Sequence, residues 1–118
     1  MNKKILVVDD DKIVRDMNSR FVEIFGYTPI KAETSQLAYE LVHSQSPDLV
    51  WTDHDMPGMT GSELIDKLRQ EGNDVSFLVT SGRPENERIS LEAGANAYLV
   101  KPYLLPDVKE VIDRLLGE

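Results

Sequence analysis

Strand-like and helix-like segments alternate five times along this chain, and this alternation is the strongest constraint on its fold. Short apolar runs bounded by charged or turn-forming residues predict five strands, at Met1–Asp10, Tyr27–Ala32, Asp48–Thr52, Val75–Thr80 and Ala95–Val100. Apolar residues at three- and four-residue spacing predict a helix after each strand, at Lys12–Gly26, from Thr34 or Ser35 to just before Pro47, and at Thr60–Gly72, Pro84–Ala93 and Leu105–Leu116. The first helix carries an apolar stripe made of Ile13, Val14, Met17, Phe21, Ile24 and Phe25.

Alternating strands and helices predict a parallel sheet with helices on both faces. Because crossovers between parallel strands are right-handed, few topologies remain. We expect one α/β domain over residues 1–118, a doubly wound, flavodoxin-like five-stranded parallel sheet of order 2-1-3-4-5 with five helices. Such sheets bind ligands outside the carboxyl ends of the strands, at the switch point between strands one and three.

Composition and charge exclude several classes of function. The chain has no cysteine, which excludes disulfides and thiolate metal sites and fits the reducing cytoplasm, where we place the protein. No apolar run approaches the roughly 18 residues of a membrane span, and the N-terminus lacks the apolar stretch of a signal peptide. The formal net charge of −8, without a basic stripe, argues against direct binding of nucleic acid.

Four charged side chains follow the ends of predicted strands. Asp9 and Asp10 end the first strand, Asp53 follows the third, and Lys101 follows the fifth. Because the carboxyl ends of parallel strands lie along one edge of the sheet, these groups can converge on one site. Two like charges ~4 Å apart at an effective dielectric of about 20 repel by about 4 kcal/mol, so the cluster needs a cation. Carboxylates are ligands that Mg²⁺ prefers, and the ion keeps positions for water and a phosphate oxygen.

The cluster predicts phosphoryl chemistry. Three carboxylates, one Mg²⁺ and one ammonium are together neutral, and a carboxylate can attack a phosphoryl group to form an aspartyl phosphate. Each residue alone has a plainer interpretation: Asp9 and Asp10 as acids at a helix start, Asp53 as a turn residue, and Lys101 as a solvated loop lysine. Their coincidence at strand ends favours a shared site.

Motifs along the whole chain resemble the response-regulator receiver domains of two-component signalling. The matching segments are Ile5–Asp11 (ILVVDDD), Pro47–Gly61 (PDLVWTDHDMPGMTG), Phe77–Gly82 (FLVTSG), Gly94–Tyr98 (GANAY) and Leu99–Tyr103 (LVKPY). Each segment is weakly specific, but their order and spacing together are highly specific. The stretch from Ser81 to Lys101 is slightly shorter than in many relatives, so we expect a brief fourth helix.

The resemblance implies a role for each residue of the cluster. Asp53 corresponds to the phosphoacceptor, Asp10 to the acid that binds Mg²⁺ directly, and Asp9 to its neighbour, which often acts through water. The backbone carbonyl of Asp55 corresponds to a further metal ligand. Lys101 corresponds to the lysine that pairs with phosphoryl oxygens, and the bond to Pro102 resembles one that the family holds cis.

The resemblance also implies a two-residue switch. Ser81, followed by the small Gly82, fits the family's hydroxyl position at the end of strand four, and Thr80 is the alternative if that strand ends one residue sooner. Because side chains alternate along a strand, only one of the two can point at the site. Tyr98 corresponds to the aromatic residue that turns inward when the hydroxyl moves toward the phosphate, which changes the face formed by helix four, strand five and helix five.

Three neighbours of the site carry further expectations. Asp55 and Arg83 lie two residues beyond Asp53 and Ser81, and we expect an ion pair between them that slows hydrolysis of the phosphate. His54 follows the phosphoacceptor position, but adjacent strand residues point to opposite faces, so we do not expect it to act as a base or ligand.

The function that the resemblance implies is a phosphorylation-controlled signalling switch. It implies no enzyme beyond self-phosphorylation and slow self-dephosphorylation. The expected phosphoryl donor is a sensor histidine kinase or a phosphotransfer protein, and the expected downstream partner is a protein, not nucleic acid or a membrane. We expect a monomer or a phosphorylation-dependent dimer. The cognate kinase, the output, and the choice between a stand-alone regulator and part of a longer one stay open.

Two other classes of function share parts of this pattern. Asp53-x-Asp55 resembles the aspartate pair of haloacid-dehalogenase-type phosphatases, which also use Mg²⁺ and an aspartyl phosphate, but that fold needs a longer chain and a different continuation than Met-Pro-Gly. A flavodoxin-like flavin binder shares the topology, but the acidic first loop would repel the flavin phosphate.

Overall fold

The computed structural model describes residues 2–117, so Met1 of the predicted first strand and Glu118, the last residue of the predicted domain, lie outside the described residues. The strands are β1 Lys4–Val8, β2 Thr28–Ala32, β3 Leu49–Asp53, β4 Ser76–Ser81 and β5 Ala97–Val100. The helices are α1 Lys12–Ile24, α2 Ser35–Gln45, α3 Gly61–Gln70, α4 Asn86–Ala93 and α5 Leu105–Leu116. Every predicted element is present within a few residues of its predicted bounds, and α4 is brief at 8 residues, as expected.

The strands form one parallel sheet in the order β2-β1-β3-β4-β5, which confirms the predicted doubly wound topology. The register places Val8 beside Thr52, Asp53 beside Thr80, and Ser81 beside Val100. The carboxyl ends of β1, β3 and β4 therefore lie side by side, and the residues that follow them share one edge of the sheet.

The helices cover both faces of the sheet, and alternate residues of each central strand enter two separate cores. Leu6, Val50 and Phe77 pack with α2 and α3 on one face. Ile5, Trp51 and Leu78 pack with α1 and α5 on the other. Because β1 and β3 are buried on both faces, their ends are held rigidly, which suits them to position a site. Within residues 2–117, none of these helices combines the length and the apolar character that crossing a membrane requires.

The apolar stripe of α1 faces the sheet only in part. The buried residues of this helix are Asn18, Ser19 and Val22. Ile13, Met17 and Ile24 of the stripe are exposed by 77%, 47% and 65% of their surface. Large apolar side chains on a solvent-facing helix cost solubility unless another surface covers them, so this face of α1 is suited to a contact.

Candidate functional site

Three carboxylates converge at the carboxyl edge of the sheet. Asp9, Asp10 and Asp53 each offer one oxygen, and these oxygens all lie within 4.8 Å of one another. Asp9 and Asp53 are buried, with 4% and 9% of their surface exposed, whereas Asp10 is exposed. The predicted convergence of the acids that follow β1 and β3 is therefore present in the structure.

The three acids of the loop after β1 have two different roles, capping of α1 and formation of the acidic cluster. Asp11 is the N-cap of α1, and its carboxylate accepts the N–H groups of Ile13 and Val14 at 2.9 and 3.3 Å. Asp9 accepts the N–H of Asp11 at 2.9 Å, and its own backbone is held by Arg15, whose Nη1 donates to the Asp9 carbonyl at 2.8 Å. The helix-start interpretation thus applies to Asp11, while Asp9 and its neighbour belong to the acidic cluster.

Burial raises the pKa of Asp9 above its ordinary value, and the charges of Asp53 and Asp10 raise it further. The hydrogen bond from Asp11 and the nearby charge of Lys101 lower this pKa, but they do not offset burial and repulsion. A carboxylate held in this way is stabilised by a cation among the three acids. The atoms available as metal ligands in this cluster are all hard oxygen atoms. They fit Mg²⁺ and do not fit a metal that prefers thiolate or imidazole.

Lys101 reaches into the cluster from the end of β5. Its Nζ lies 3.4 Å from Oδ1 of Asp53, and its backbone N–H donates to the carbonyl of Ser81 at 2.8 Å. The peptide bond to Pro102 is cis, as the resemblance implied. The ammonium is thus paired with Asp53 and is not the solvated loop lysine of the plainer interpretation.

Ser81, and not Thr80, ends β4 and faces the loop that follows Asp53. The buried Ser81 hydroxyl donates to Oδ2 of Asp55 at 2.9 Å and accepts the backbone N–H of Arg83 at 3.1 Å. Thr80 lies on the opposite face, where its side chain interacts with the phenol of Tyr103. β4 extends to Ser81, so the strand does not end one residue sooner, at Thr80.

The expected ion pair between Asp55 and Arg83 is wrong: no such pair forms within residues 2–117. The oxygens of Asp55 are bound by other groups: Ser81 donates to Oδ2, and Nδ2 of Asn86 donates to Oδ1 at 3.2 Å. Asn86 also donates to the Ser81 hydroxyl at 3.3 Å. Sequence reasoning missed Asn86, whose only signal was a polar residue near the predicted start of the fourth helix.

Tyr98 is half-buried on β5 and is attached to the loop after β4. Its hydroxyl donates to the carbonyl of Arg83 at 2.6 Å, and its ring packs at the border of the core beneath α2 and α3. Burial raises the pKa of this phenol. Arg83 therefore connects the two proposed switch residues, because its backbone N–H donates to Ser81 and its carbonyl accepts from Tyr98.

Tyr103 covers the other side of the site. Burial, with the charges of Asp9 and Asp53, raises the pKa of this phenol to about 12. The side chains of Thr80 and Asn18 interact with it and lower the pKa by a smaller amount. A phenol that stays protonated beside two carboxylates adds no negative charge to the cluster.

Comparisons with known proteins agree with this geometry. The protein-family model of the response regulator receiver domain matches residues 5–113. The response regulator MprA of Mycolicibacterium vanbaalenii is 39% identical over 110 residues, which cover 92% of this chain and 48% of that protein. The phosphate regulon transcriptional regulatory protein PhoB of Pseudomonas aeruginosa is 33% identical over an alignment of 119 positions, which covers 98% of this chain and 51% of that protein. The chain thus spans about half the length of these curated relatives.

A solved structure shows the same fold. The crystal structure of a CheY-like response regulator receiver domain protein from Methanospirillum hungatei aligns with a TM-score of 0.91 at 31% identity, covering 99% of this chain and 95% of that one.

Proposed function

The chain belongs to the response regulator receiver domain family of phosphorylation-controlled signalling switches, and on that premise we propose that it accepts a phosphoryl group on Asp53. The observation that carries the proposal is the convergence of Asp9, Asp10 and Asp53 within 4.8 Å, with the ammonium of Lys101 3.4 Å from Asp53. Such a site can neutralise the charge of a phosphoryl group in transfer, which is the main requirement of this chemistry.

The proposed metal ligands are the carboxylates of Asp9, Asp10 and Asp53 and the backbone carbonyl of Asp55. A Mg²⁺ ion bound there would offset the repulsion among the acids and polarise the phosphoryl oxygens. The side chain of Asp55 is bound by Ser81 and Asn86, so its carbonyl is the part of this residue proposed for the metal.

The transfer step uses Asp53 as nucleophile. An oxygen of its carboxylate forms a bond to phosphorus while the bond between phosphorus and the donor's histidine nitrogen breaks. Lys101 then pairs with one phosphoryl oxygen, and the Ser81 hydroxyl leaves Asp55 to donate to another. With Ser81 moved, we propose that Tyr98 turns inward and that the face of α4, β5 and α5 binds a downstream protein.

The proposed phosphoryl donor is a histidine kinase or a phosphotransfer protein that contacts α1. A groove of about 350 Å³ between α1 and the loop after β5 includes Met17, Phe21 and Lys101 in its lining. Because Lys101 also contacts Asp53, any protein that brings a phosphohistidine to Asp53 must lie over this border. The exposed Ile13, Met17 and Leu104 give such a partner apolar surface to cover.

The remaining partner proposals follow from charge and family. A net charge of −8 supports a protein surface and not nucleic acid as the direct partner, with no attachment to a membrane. We place the protein in the cytoplasm, as a monomer or a phosphorylation-dependent dimer.

As a receiver domain it acts as a switch and not as a true enzyme, and the haloacid-dehalogenase-type alternative is not supported by the family match. Slow self-dephosphorylation is part of the proposal.

Incubation with acetyl phosphate and Mg²⁺ tests the proposal. Mass spectrometry should show one added phosphoryl group on the wild type and none on Asp53→Asn, and Trp51, which lies two residues from Asp53, should report the change by fluorescence. The matched control is Asp74→Asn, which should label like the wild type. Asp74 is an exposed aspartate that precedes β4, at the amino ends of the strands and away from the site. Equal labelling of Asp53→Asn and wild type would refute the assignment. Rapid consumption of excess acetyl phosphate, at a rate far above that of slow self-dephosphorylation, would indicate an enzyme.

A further inference from the structure

His54 belongs to a buried series of hydrogen-bonded side chains that the proposed phosphoryl chemistry does not use. Its Nε2 lies 2.8 Å from the hydroxyl of Ser62, the second residue of α3, and that hydroxyl lies 3.3 Å from the hydroxyl of Ser90 in α4. On the other side of the ring, Nδ1 lies 3.5 Å from Oδ1 of Asp55. His54, Ser62 and Ser90 are all buried. Buried polar groups are costly unless they are bonded, so these hydrogen bonds offset the cost of burying three polar side chains where α3 meets α4.

The carboxylate of Asp55 sets the direction of every hydrogen bond in the chain. A carboxylate only accepts, so a neutral His54 must carry its proton on Nδ1 to bond with Asp55. Nε2 is then an acceptor, the hydroxyl of Ser62 donates to it, and the hydroxyl of Ser90 donates to Ser62. All the donors point toward one negative charge, which strengthens each bond along the chain. The contact at 3.5 Å is the longest link.

Gly61 allows α3 to approach closely enough for this arrangement. A Cβ at this position would lie 3.2 Å from the Cα of His54 and 3.3 Å from the carbonyl oxygen of Asp53. Both neighbours are backbone atoms, which cannot move without displacing the end of β3. Because the next residue is Ser62, the absence of a side chain at Gly61 brings that hydroxyl to the imidazole.

Helix α4 is connected to Asp55 at two points one turn apart. Asn86, the first residue of α4, donates directly to Asp55, and Ser90 is connected through Ser62 and His54. Residues at i and i+4 share a helix face, so this face of α4 is held by the same carboxylate that binds the hydroxyl of Ser81.

We propose that His54 is a positioning residue whose relay through Ser62 and Ser90 couples the docking of α4 to the hydrogen bonding of Asp55. The part of this inference that concerns switching rests on the proposed function. When Ser81 leaves Asp55 for the phosphoryl group, the carboxylate loses a donor, and its remaining side-chain donors, His54 and Asn86, both lead to α4. The helix therefore responds to phosphorylation through hydrogen bonds as well as through apolar packing.

The first experiment examines the relay in the unphosphorylated protein. Nitrogen-15 NMR of the neutral His54 ring, at alkaline pH, should show Nδ1 protonated and Nε2 accepting a hydrogen bond. His43, the second of the 2 histidines, supplies the other pair of signals for assignment. Ser62→Ala should reduce the Nδ1–H fraction, because it removes the donor to Nε2. A proton on Nε2 in the wild type would overturn the relay.

Amide hydrogen exchange across Asn86–Ala93 measures the coupling to α4. Ser62→Ala and Ser90→Ala should each accelerate exchange about fivefold, the factor expected for one hydrogen bond of ordinary net strength. The double variant should show no more than either single one, because the two serines act through one chain. The matched control is Ser35→Ala, which removes a buried hydroxyl that has no hydrogen-bond partner within residues 2–117, and it should leave α4 unchanged. Unaltered or additive rates would contradict the proposal.

A third experiment adds beryllofluoride and Mg²⁺ as a stable mimic of the phosphoryl group. The wild type should show a change in α4 exchange on binding, and Ser62→Ala should lose at least about half of that change while still binding the mimic. A full response in Ser62→Ala would remove the switching role. If the wild type itself fails to bind beryllofluoride, the proposed function fails, and the first experiment still decides whether the relay exists.

Discussion

Replacing Asp9 by asparagine should stabilise the metal-free protein while weakening its binding of Mg²⁺. Asp9 and Asp53 are both buried, and their nearest oxygens lie within 4.8 Å. At that separation and an effective dielectric of about 20, two negative charges repel by about 3.5 kcal/mol. Asparagine keeps the oxygen that accepts the N–H of Asp11, so the substitution removes charge and retains the fold of the loop.

The net gain is smaller than the pairwise repulsion, because Lys101 already attracts Asp53 and water screens the site from the side of Asp10. We expect the free energy of unfolding to rise by about 1–2 kcal/mol without metal, which corresponds to about 4–8 °C in the melting temperature of a chain of this size. In saturating Mg²⁺ the order should reverse. The stability gained from the ion grows with the logarithm of the ratio of Mg²⁺ concentration to Kd, so the variant, which has the higher Kd, gains less than the wild type.

The pH dependence has a definite sign. The pKa of Asp9 is raised in the folded protein, so its contribution to stability is present in full below the unfolded value of 3.8 and is lost as pH rises through the folded pKa. The difference in free energy of unfolding between Asp9→Asn and the wild type should therefore be largest near neutral pH, and it should disappear as pH falls toward 3.8.

Thermal and urea denaturation of both proteins, in EDTA and in Mg²⁺, measure these quantities. The control is Asp74→Asn, which removes one charge at the opposite edge of the sheet and should change stability by less than about 0.5 kcal/mol in either condition. If Asp9→Asn lowers stability in EDTA, or gains as much from Mg²⁺ as the wild type does, the cluster is not a repulsive site that requires a cation.

Three further predictions test other parts of the structure. Because the pKa of Tyr103 is raised to about 12, its contribution to stability should be lost as pH rises from 10 to 12, by about 2 kcal/mol after allowance for screening. Urea denaturation over this range should therefore show Tyr103→Phe losing about 2 kcal/mol less than wild type, and equal losses would contradict the raised pKa. Gly61→Ala should lower the free energy of unfolding by about 1–3 kcal/mol, because the added Cβ would lie 3.2 Å from a backbone atom. The control, Gly82→Ala, places its Cβ in open space and should stay within about 0.5 kcal/mol of wild type. Similar values for the two variants would refute the close approach of α3. Lys101→Ala removes the cation beside Asp53 and should weaken binding of beryllofluoride at least about tenfold, measured by titration of Trp51 fluorescence, and unchanged affinity would exclude the proposed pairing.

Much of the fold and the charged site could be predicted because both depend on patterns that are local in the chain. Apolar runs and helical spacing located all ten elements, and the alternation of strand and helix left few topologies. The convergence of Asp9, Asp10, Asp53 and Lys101 followed from their places at strand ends, since every strand of a parallel sheet ends at the same edge.

The expectations that failed all depended on side chains distant in sequence. The apolar stripe of α1 indicated a helix but did not show that Ile13 and Met17 point away from the sheet while Asn18 is buried. The pair expected from the spacing of Asp55 and Arg83 does not form, because α4 begins with an amide that reaches the same carboxylate.

Local patterns in the chain are therefore enough to specify the order of strands and helices, the sheet they form, and the edge where three acids and a lysine meet. Local patterns do not specify which donors bind each oxygen of Asp55, or that Ser81 is connected to α4 through Asn86 and through His54; these contacts depend on how the folded elements pack. Periodicity and strand direction are properties of neighbouring residues, so they can be recognised along the chain. A carboxylate, by contrast, binds whichever donors the packing of α3 and α4 against the sheet brings within about 3 Å of it.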